Sequence, residues 1–104
     1  AYLTDPWQPA VLRLIQHTCV VGSDNNVPVG VCGEAAADPL LACVLTGLGV
    51  NSLSAASTAV AGVGAQISEL TLEQCQKLAE AAINAEGPSE ARTAALDLME
   101  EFKA

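Results

Sequence analysis

Apolar positions along this 104-residue chain change from helical spacing to strand-like spacing and back again. From Gln8 to Val21, Val11, Leu14, Ile15, Thr18 and Cys19 recur three and four residues apart, which predicts a helix with one buried face. Pro9 suits its first turn, where the missing N–H has no helical partner to lose. Gly22 and the polar run Ser23 to Asn26 are expected to end it. Val27-Pro28-Val29-Gly30-Val31-Cys32 is short, β-branched and apolar at alternate and intervening positions alike. That pattern predicts a strand over 27–32 covered on both faces, as in a parallel sheet, closed by Gly33.

Asp38-Pro39 pairs a capping side chain with a proline at the first helical position. Leu40 to Thr46 is apolar all round and predicts a buried helix, with Gly47 and Gly49 supplying the turn after it. A second short strand is expected over 50–55. Ser57 or Thr58 then caps a small-residue helix to about Leu70. Thr71 with Gln74 forms a capping-box pattern, and the following helix places Leu72, Cys75, Leu78, Ala79 and Ala82 on one side. Gly87-Pro88 breaks the chain. Ser89 opens a last helix with Ala91, Ala94, Ala95, Leu98 and Phe102 facing inward. The order predicts an α/β class, helix-rich, with about two parallel strands and five helices. Two strands that require cover on both faces cannot complete a parallel sheet alone. The sequence therefore asks for strands supplied by a longer parent or by another copy.

Composition narrows the function. About half the residues are apolar, mostly Ala, Val and Leu, and the net charge is −8. Eight of the twelve acidic residues lie at or after Glu69, a pattern that suits a solvated helix surface. Only Arg13, Lys77, Arg92 and Lys103 are basic, so no basic stripe exists for nucleic acid or an anionic membrane. Cys19, Cys32, Cys43 and Cys75 are too widely spaced for a paired metal motif. Three of them sit among apolar neighbours, as free thiols in a reducing cytoplasm do. The opening Ala1 to Pro6 lacks the regions of a signal peptide and reads as a cut from a longer protein.

The segment with chemistry in it is Val29-Gly30-Val31-Cys32-Gly33-Glu34, followed by Ala35-Ala36-Ala37-Asp38-Pro39. A cysteine at the C-terminal end of a parallel strand stands where α/β folds place reacting groups. Gly30 and Gly33 beside it allow close approach of backbone or ligand. The bland alternative is a structural cysteine before a tight turn.

Three segments in order resemble the phosphoenolpyruvate-utilising enzymes, and within them the Enzyme I family of the bacterial sugar phosphotransferase system. Val-Gly-Val-Cys-Gly-Glu with Ala-Ala-Ala-Asp-Pro is similar to the family's cysteine signature. Gln8 to Ile15 is similar to the helix before it, and Thr46 to Ser54 to the turn and final strand after it. The resemblance covers roughly residues 5–75. It implies the C-terminal part of a (β/α)₈ barrel that binds phosphoenolpyruvate and Mg²⁺, and that passes a phosphoryl group to a histidine on another domain. From there the group would go to a phosphocarrier protein for sugar uptake, with release of pyruvate.

By that resemblance Cys32 is the proton donor to the enolate of pyruvate, Gly33 shapes the turn, and Glu34 orients Cys32 or its loop. The resemblance also implies that the Mg²⁺ ligands, the phosphate-binding arginines and the phosphorylated histidine lie outside this chain. His17 does not match the phosphohistidine motif. Relatives tend to read Phe-Ser-Met-Ser where this chain reads Leu53-Ser54-Ala55-Ala56, so no ligand contact is carried over to Ala55 or Ala56. Three functions stay open on sequence: an inactive piece of a phosphotransferase barrel, a self-associating module of that enzyme or of pyruvate phosphate dikinase or phosphoenolpyruvate synthase, and a free-standing redox protein.

Overall fold

The computed structural model describes residues 5–32, 38–54 and 70–104. Within them the order is α1 (Pro9–Asp24), β1 (Gly30–Cys32), α2 (Pro39–Leu48), β2 (Ser52–Ser54), α3 (Leu72–Ile83) and α4 (Pro88–Lys103). The two strands pair in parallel, Gly30 opposite Ser52, Val31 opposite Leu53 and Cys32 opposite Ser54. The expected α/β order and helix-rich character are therefore present. The helix expected from Ser57 or Thr58 to Leu70 lies outside the described residues.

Helix α2 packs against α1, α3 and α4, and most extensively against α3. Leu40 to Leu45 and Leu48 are all buried, as an all-apolar helix requires. Burying a leucine side chain is worth roughly 2 kcal/mol, so this helix supplies much of the driving force for folding. Asp38 accepts from the backbone N–H groups of Leu40 and Leu41 and fixes its start. Gly49, at φ 108°, closes it in the left-handed conformation, where a side chain would also crowd Cys19. Gly47 does not form the expected turn, because α2 runs on through it to Leu48. It serves instead as a contact point: a methyl group there would overlap the backbone of Cys75 on α3.

Helix α1 buries Cys19 and Ile15 of the face its spacing predicts, but that face is rotated so that Leu12 turns inward and Leu14 and Thr18 turn out. Pro9, Leu12, Cys19 and Gly22 are buried and Ile15 packs against the core, whereas Leu14 is 65% exposed and Thr18 is also exposed. The helix carries apolar residues on two sides, and Leu12, Ile15 and Cys19 keep the same three- and four-residue intervals. Packing against α2 and α3 selects between them. The helix passes Gly22 and stops at Asp24, within the polar run expected to end it. The chain folds back over Gly22, with the Val27 N–H donating to its carbonyl at 2.7 Å. An added Cβ there would lie 2.6 Å from the Val27 oxygen.

The capping box at Thr71 and Gln74 is formed in both directions, at 3.1 and 3.0 Å. Cys75, Leu78, Ala79 and Ala82 are buried on α3, but Leu72, in its first turn at the margin of that face, is exposed. Helix α4 begins at Pro88, one residue before the expected Ser89. It buries Ala91, Ala95 and Met99, while Ala94, Leu98 and Phe102 are only half-buried. Arg13 on α1 donates to the Ile83 carbonyl at 2.6 Å, placing a cation on the last residue of α3, where the helix dipole is negative. Among the described residues no helix is long and apolar enough to cross a membrane.

Candidate functional site at the end of strand β1

Within the described residues the strands cover three residues each, starting later than the 27 and 50 expected, and the hydrogen bonding before them explains the late start of β1. Val27 bonds back to α1, and Pro28 has no N–H to offer. At Val29 the partner is a side chain: its N–H donates to Asn51 Oδ1 at 2.8 Å, and its carbonyl accepts from the N–H groups of Asn51 and Ser52 at 2.8 and 3.4 Å. Asn51 thereby sets the register before the ladder proper begins. Gly30 then allows the two chains to come together, since a Cβ on it would sit 2.7 Å from Ser52 Oγ. Cover on both faces is not found in the described residues. Val27 is 56% exposed, and Val29 and Val31 are only half-buried.

Cys32 is the last residue of β1, and its neighbour across the ladder, Ser54, is the last residue of β2. Both strands therefore deliver their C-terminal ends to the same place. The Cys32 side chain, Gly33 and Glu34 lie outside the described residues, as do Ala55 and Ala56. After five intervening residues the chain is described again at Asp38. Asp38 Oδ1 caps α2, and its other carboxylate oxygen accepts the indole N–H of Trp7 at 3.4 Å. Trp7 itself is only 7% exposed, with its backbone N–H donating to Asp5 Oδ1 at 2.9 Å. It is a packing anchor, and sequence spacing gives no sign of its bond to a residue thirty-one positions away.

The other three cysteines are free and buried. Cys43 on α2 and Cys75 on α3 face one another, at 0% and 1% exposure. Burial, reinforced by the neighbouring Cys75, pushes the Cys43 thiol up to about 12. Burial also raises Cys75 and Cys19. These thiols are held protonated and away from solvent, which suits packing and not nucleophilic or redox chemistry. His17 is exposed on α1. A cleft of about 490 Å³, lined by Cys19, Gly22, Val27, Pro28, Gly49 and Asn51 among others, opens at the other end of the sheet, where the strands begin. It is not at Cys32. Among the described residues no group of three or more His, Cys, Asp or Glu side chains could hold a metal ion.

Residues 1–72 match the family described as PEP-utilising enzyme, PEP-binding domain. A phosphoenolpyruvate-protein phosphotransferase of Streptomyces coelicolor is 53% identical over 93 residues, which is 89% of this chain and 17% of that protein. One from Chlamydia trachomatis is 38% identical over 74% of this chain and 14% of its own length. The multiphosphoryl transfer protein of Rhodobacter capsulatus is 41% identical over 85% of this chain and 11% of its own. The chain thus spans less than a fifth of the length of these relatives. The matched segment holds α1, the parallel strands and α2, and on that match the chain belongs to the phosphoenolpyruvate-utilising enzymes.

Proposed function

We propose that this chain is the part of a phosphoenolpyruvate-protein phosphotransferase, Enzyme I, that carries the proton-donating cysteine of a (β/α)₈ barrel. The observation that carries the reading is the position of Cys32. It closes a strand paired in parallel with β2, at the shared C-terminal end, inside the segment that matches the family. Barrel enzymes build their sites at that end of the strands. The relatives' names favour the phosphotransferase over the dikinase or the synthase.

In this reading the parent takes the phosphoryl group of phosphoenolpyruvate onto a histidine and passes it to a phosphocarrier protein. The enolate of pyruvate remains. The Cys32 S–H bond breaks, its proton forms a C–H bond at the methylene carbon from the enolate π pair, and the enolate oxygen becomes the pyruvate carbonyl. The thiolate left behind regains a proton from water. A thiol is suited to this role, because an ordinary cysteine, with a pKa near 8.5, is largely protonated at neutral pH. Gly33 shapes the turn after it, and Glu34 orients Cys32 or the loop. Mg²⁺ belongs to this reading through ligands that lie outside this chain: among the described residues no group of three or more His, Cys, Asp or Glu side chains could hold it. Without the remaining strands, which this reading assigns to the parent, the piece by itself has no complete pocket and is inactive. Free thiols at Cys19, Cys43 and Cys75 suit a reducing cytoplasm.

The test is Cys32→Ser in the full-length parent, with pyruvate release from phosphoenolpyruvate as the measurement. Loss of a positioned general acid should lower turnover by about 100-fold or more. Near-normal turnover defeats the assignment.

A further inference from the structure

We infer that Asn51 is a positioning residue for Cys32, because its side chain fixes which residues of β1 stand opposite which residues of β2. The inference rests on the role proposed above for Cys32 and concerns where the backbone carries that residue. The apolar pattern alone leaves the choice open. Val29 and Val31 alternate with Gly30 and Cys32, so β1 has no polar face, and sliding it by one residue exchanges one apolar set for another. The ladder is also short, with three residue pairs from Gly30–Ser52 to Cys32–Ser54.

Asn51 makes the choice by holding one residue at two points. Its backbone N–H donates to the Val29 carbonyl at 2.8 Å, and its side-chain Oδ1 accepts the Val29 N–H, also at 2.8 Å. Both backbone polar groups of Val29 are thus tied to position 51. Neither neighbour can take this place: Val50 has no side-chain acceptor, and the Ser52 hydroxyl is one bond shorter than the Asn51 amide. The next residue agrees with the same alignment. A Cβ at Gly30 would lie 2.7 Å from Ser52 Oγ, and Gly30 is the one glycine of β1. The bracket at Val29 and the missing side chain at Gly30 therefore specify a single register on consecutive residues. In that register Cys32 stands opposite Ser54, two ladder steps past Gly30 along continuous strand. A slip of one residue would carry Cys32 about 3.3 Å along β2, more than a reacting group tolerates.

The test uses the full-length parent. Asn51→Leu keeps the size of the side chain and removes the acceptor, whereas Asn51→Asp keeps the acceptor. Asn51→Leu is expected to lower kcat for pyruvate release about fivefold with little change in KM, the rate equivalent of one net hydrogen bond. Asn51→Asp should recover most of that loss. The rate at which iodoacetamide alkylates Cys32, read on the peptide that contains it, should shift by a comparable factor in Asn51→Leu and much less in Asn51→Asp. Gly47→Ala, which burdens the α2–α3 contact instead, controls for general loss of stability and should keep its kcat. Unchanged kcat and alkylation in Asn51→Leu, equal losses in Asn51→Leu and Asn51→Asp, or the same loss in Gly47→Ala overturns the inference. Should Asn51→Leu fold poorly, Asn51→Ser, too short to reach Val29, decides on the same readouts. Cys32→Ser is run alongside. If it keeps near-normal turnover, the role of Cys32 is at fault, and the alkylation contrast alone judges the register. If it is inactive while Asn51→Leu behaves as wild type, the positioning inference alone fails.

Discussion

Single residues in this chain do work that their type alone does not announce. Asn51 looks like an ordinary turn residue, yet its side chain supplies the hydrogen bond that a longer ladder would have given Val29. Cys43 looks like any small apolar residue, and its burial has a consequence for pH. Its thiol holds its proton up to about 12 when folded, but in the unfolded chain it ionises near the ordinary cysteine value. Above that value the unfolded state binds fewer protons than the native one, so this group's contribution to stability is intact at lower pH and declines as pH rises from about 9 towards about 12. Denaturation midpoints measured from pH 8 to 10 should therefore fall, and Cys43→Ala should flatten that fall while lowering the midpoint at neutral pH. An unchanged pH slope in Cys43→Ala would contradict the assignment. The buried character of Cys43 was legible from its neighbours. Its pairing with Cys75 across two helices was not, because contacts between distant residues leave no trace in local spacing.

At the level of elements, α2 shows what sequence pattern reads well and what it reads badly. A helix apolar on every side has only one stable place, and that is where it lies. Asp38-Pro39 gives its start and Thr71 with Gln74 gives the start of α3, since caps are local chemistry. The two glycines after Thr46 were harder to assign, because glycine serves equally for a turn and for close approach. Gly49 serves the first use and Gly47 the second. Gly47→Ala would gain helix propensity of about 1 kcal/mol but drive a methyl group into the Cys75 backbone. Overpacking of this kind costs about 1–3 kcal/mol or more, so the net effect is destabilising. A lowered urea midpoint in the variant checks it, and a raised midpoint would show that α2 and α3 separate freely. The inward face of α1 is only partly legible for a related reason. With Leu12, Ile15 and Cys19 on one side and Leu14, Val20 and Val21 on others, periodicity supports more than one inward face.

On the scale of the molecule, the radius of gyration is 12.7 Å, close to the ~13 Å of a folded chain of this length. Compactness coexists with surface that a finished domain would cover. Leu14, Val20, Val21, Val27 and Leu72 are exposed, and among the described residues the parallel sheet is a single strand pair. The expected need for further strands, read from two short apolar segments, is a separate proposal, since Leu14, Val20, Val21 and Leu72 lie on helices. Which partner meets it is decided by strand pairing at long range and is illegible in 104 residues. Produced on its own, the chain should self-associate at micromolar concentration, as exposed sheet edges and apolar patches favour. Sedimentation velocity checks this, and a clean monomer that resists proteolysis would show that these surfaces need no cover.

The reciprocal bonds between Thr71 and Gln74 carry one more implication, for how this part of the chain tolerates change over evolutionary time. Because the first turn of α3 is specified by two residues within it, its phase is not inherited from whatever comes before. Residues could be gained or lost upstream of Thr71 without rotating Cys75, Leu78 and Ala82 away from α2. The α3–α4 hairpin is, in this sense, a self-indexed unit: lineages can vary the length of the preceding connection and still dock the same tail.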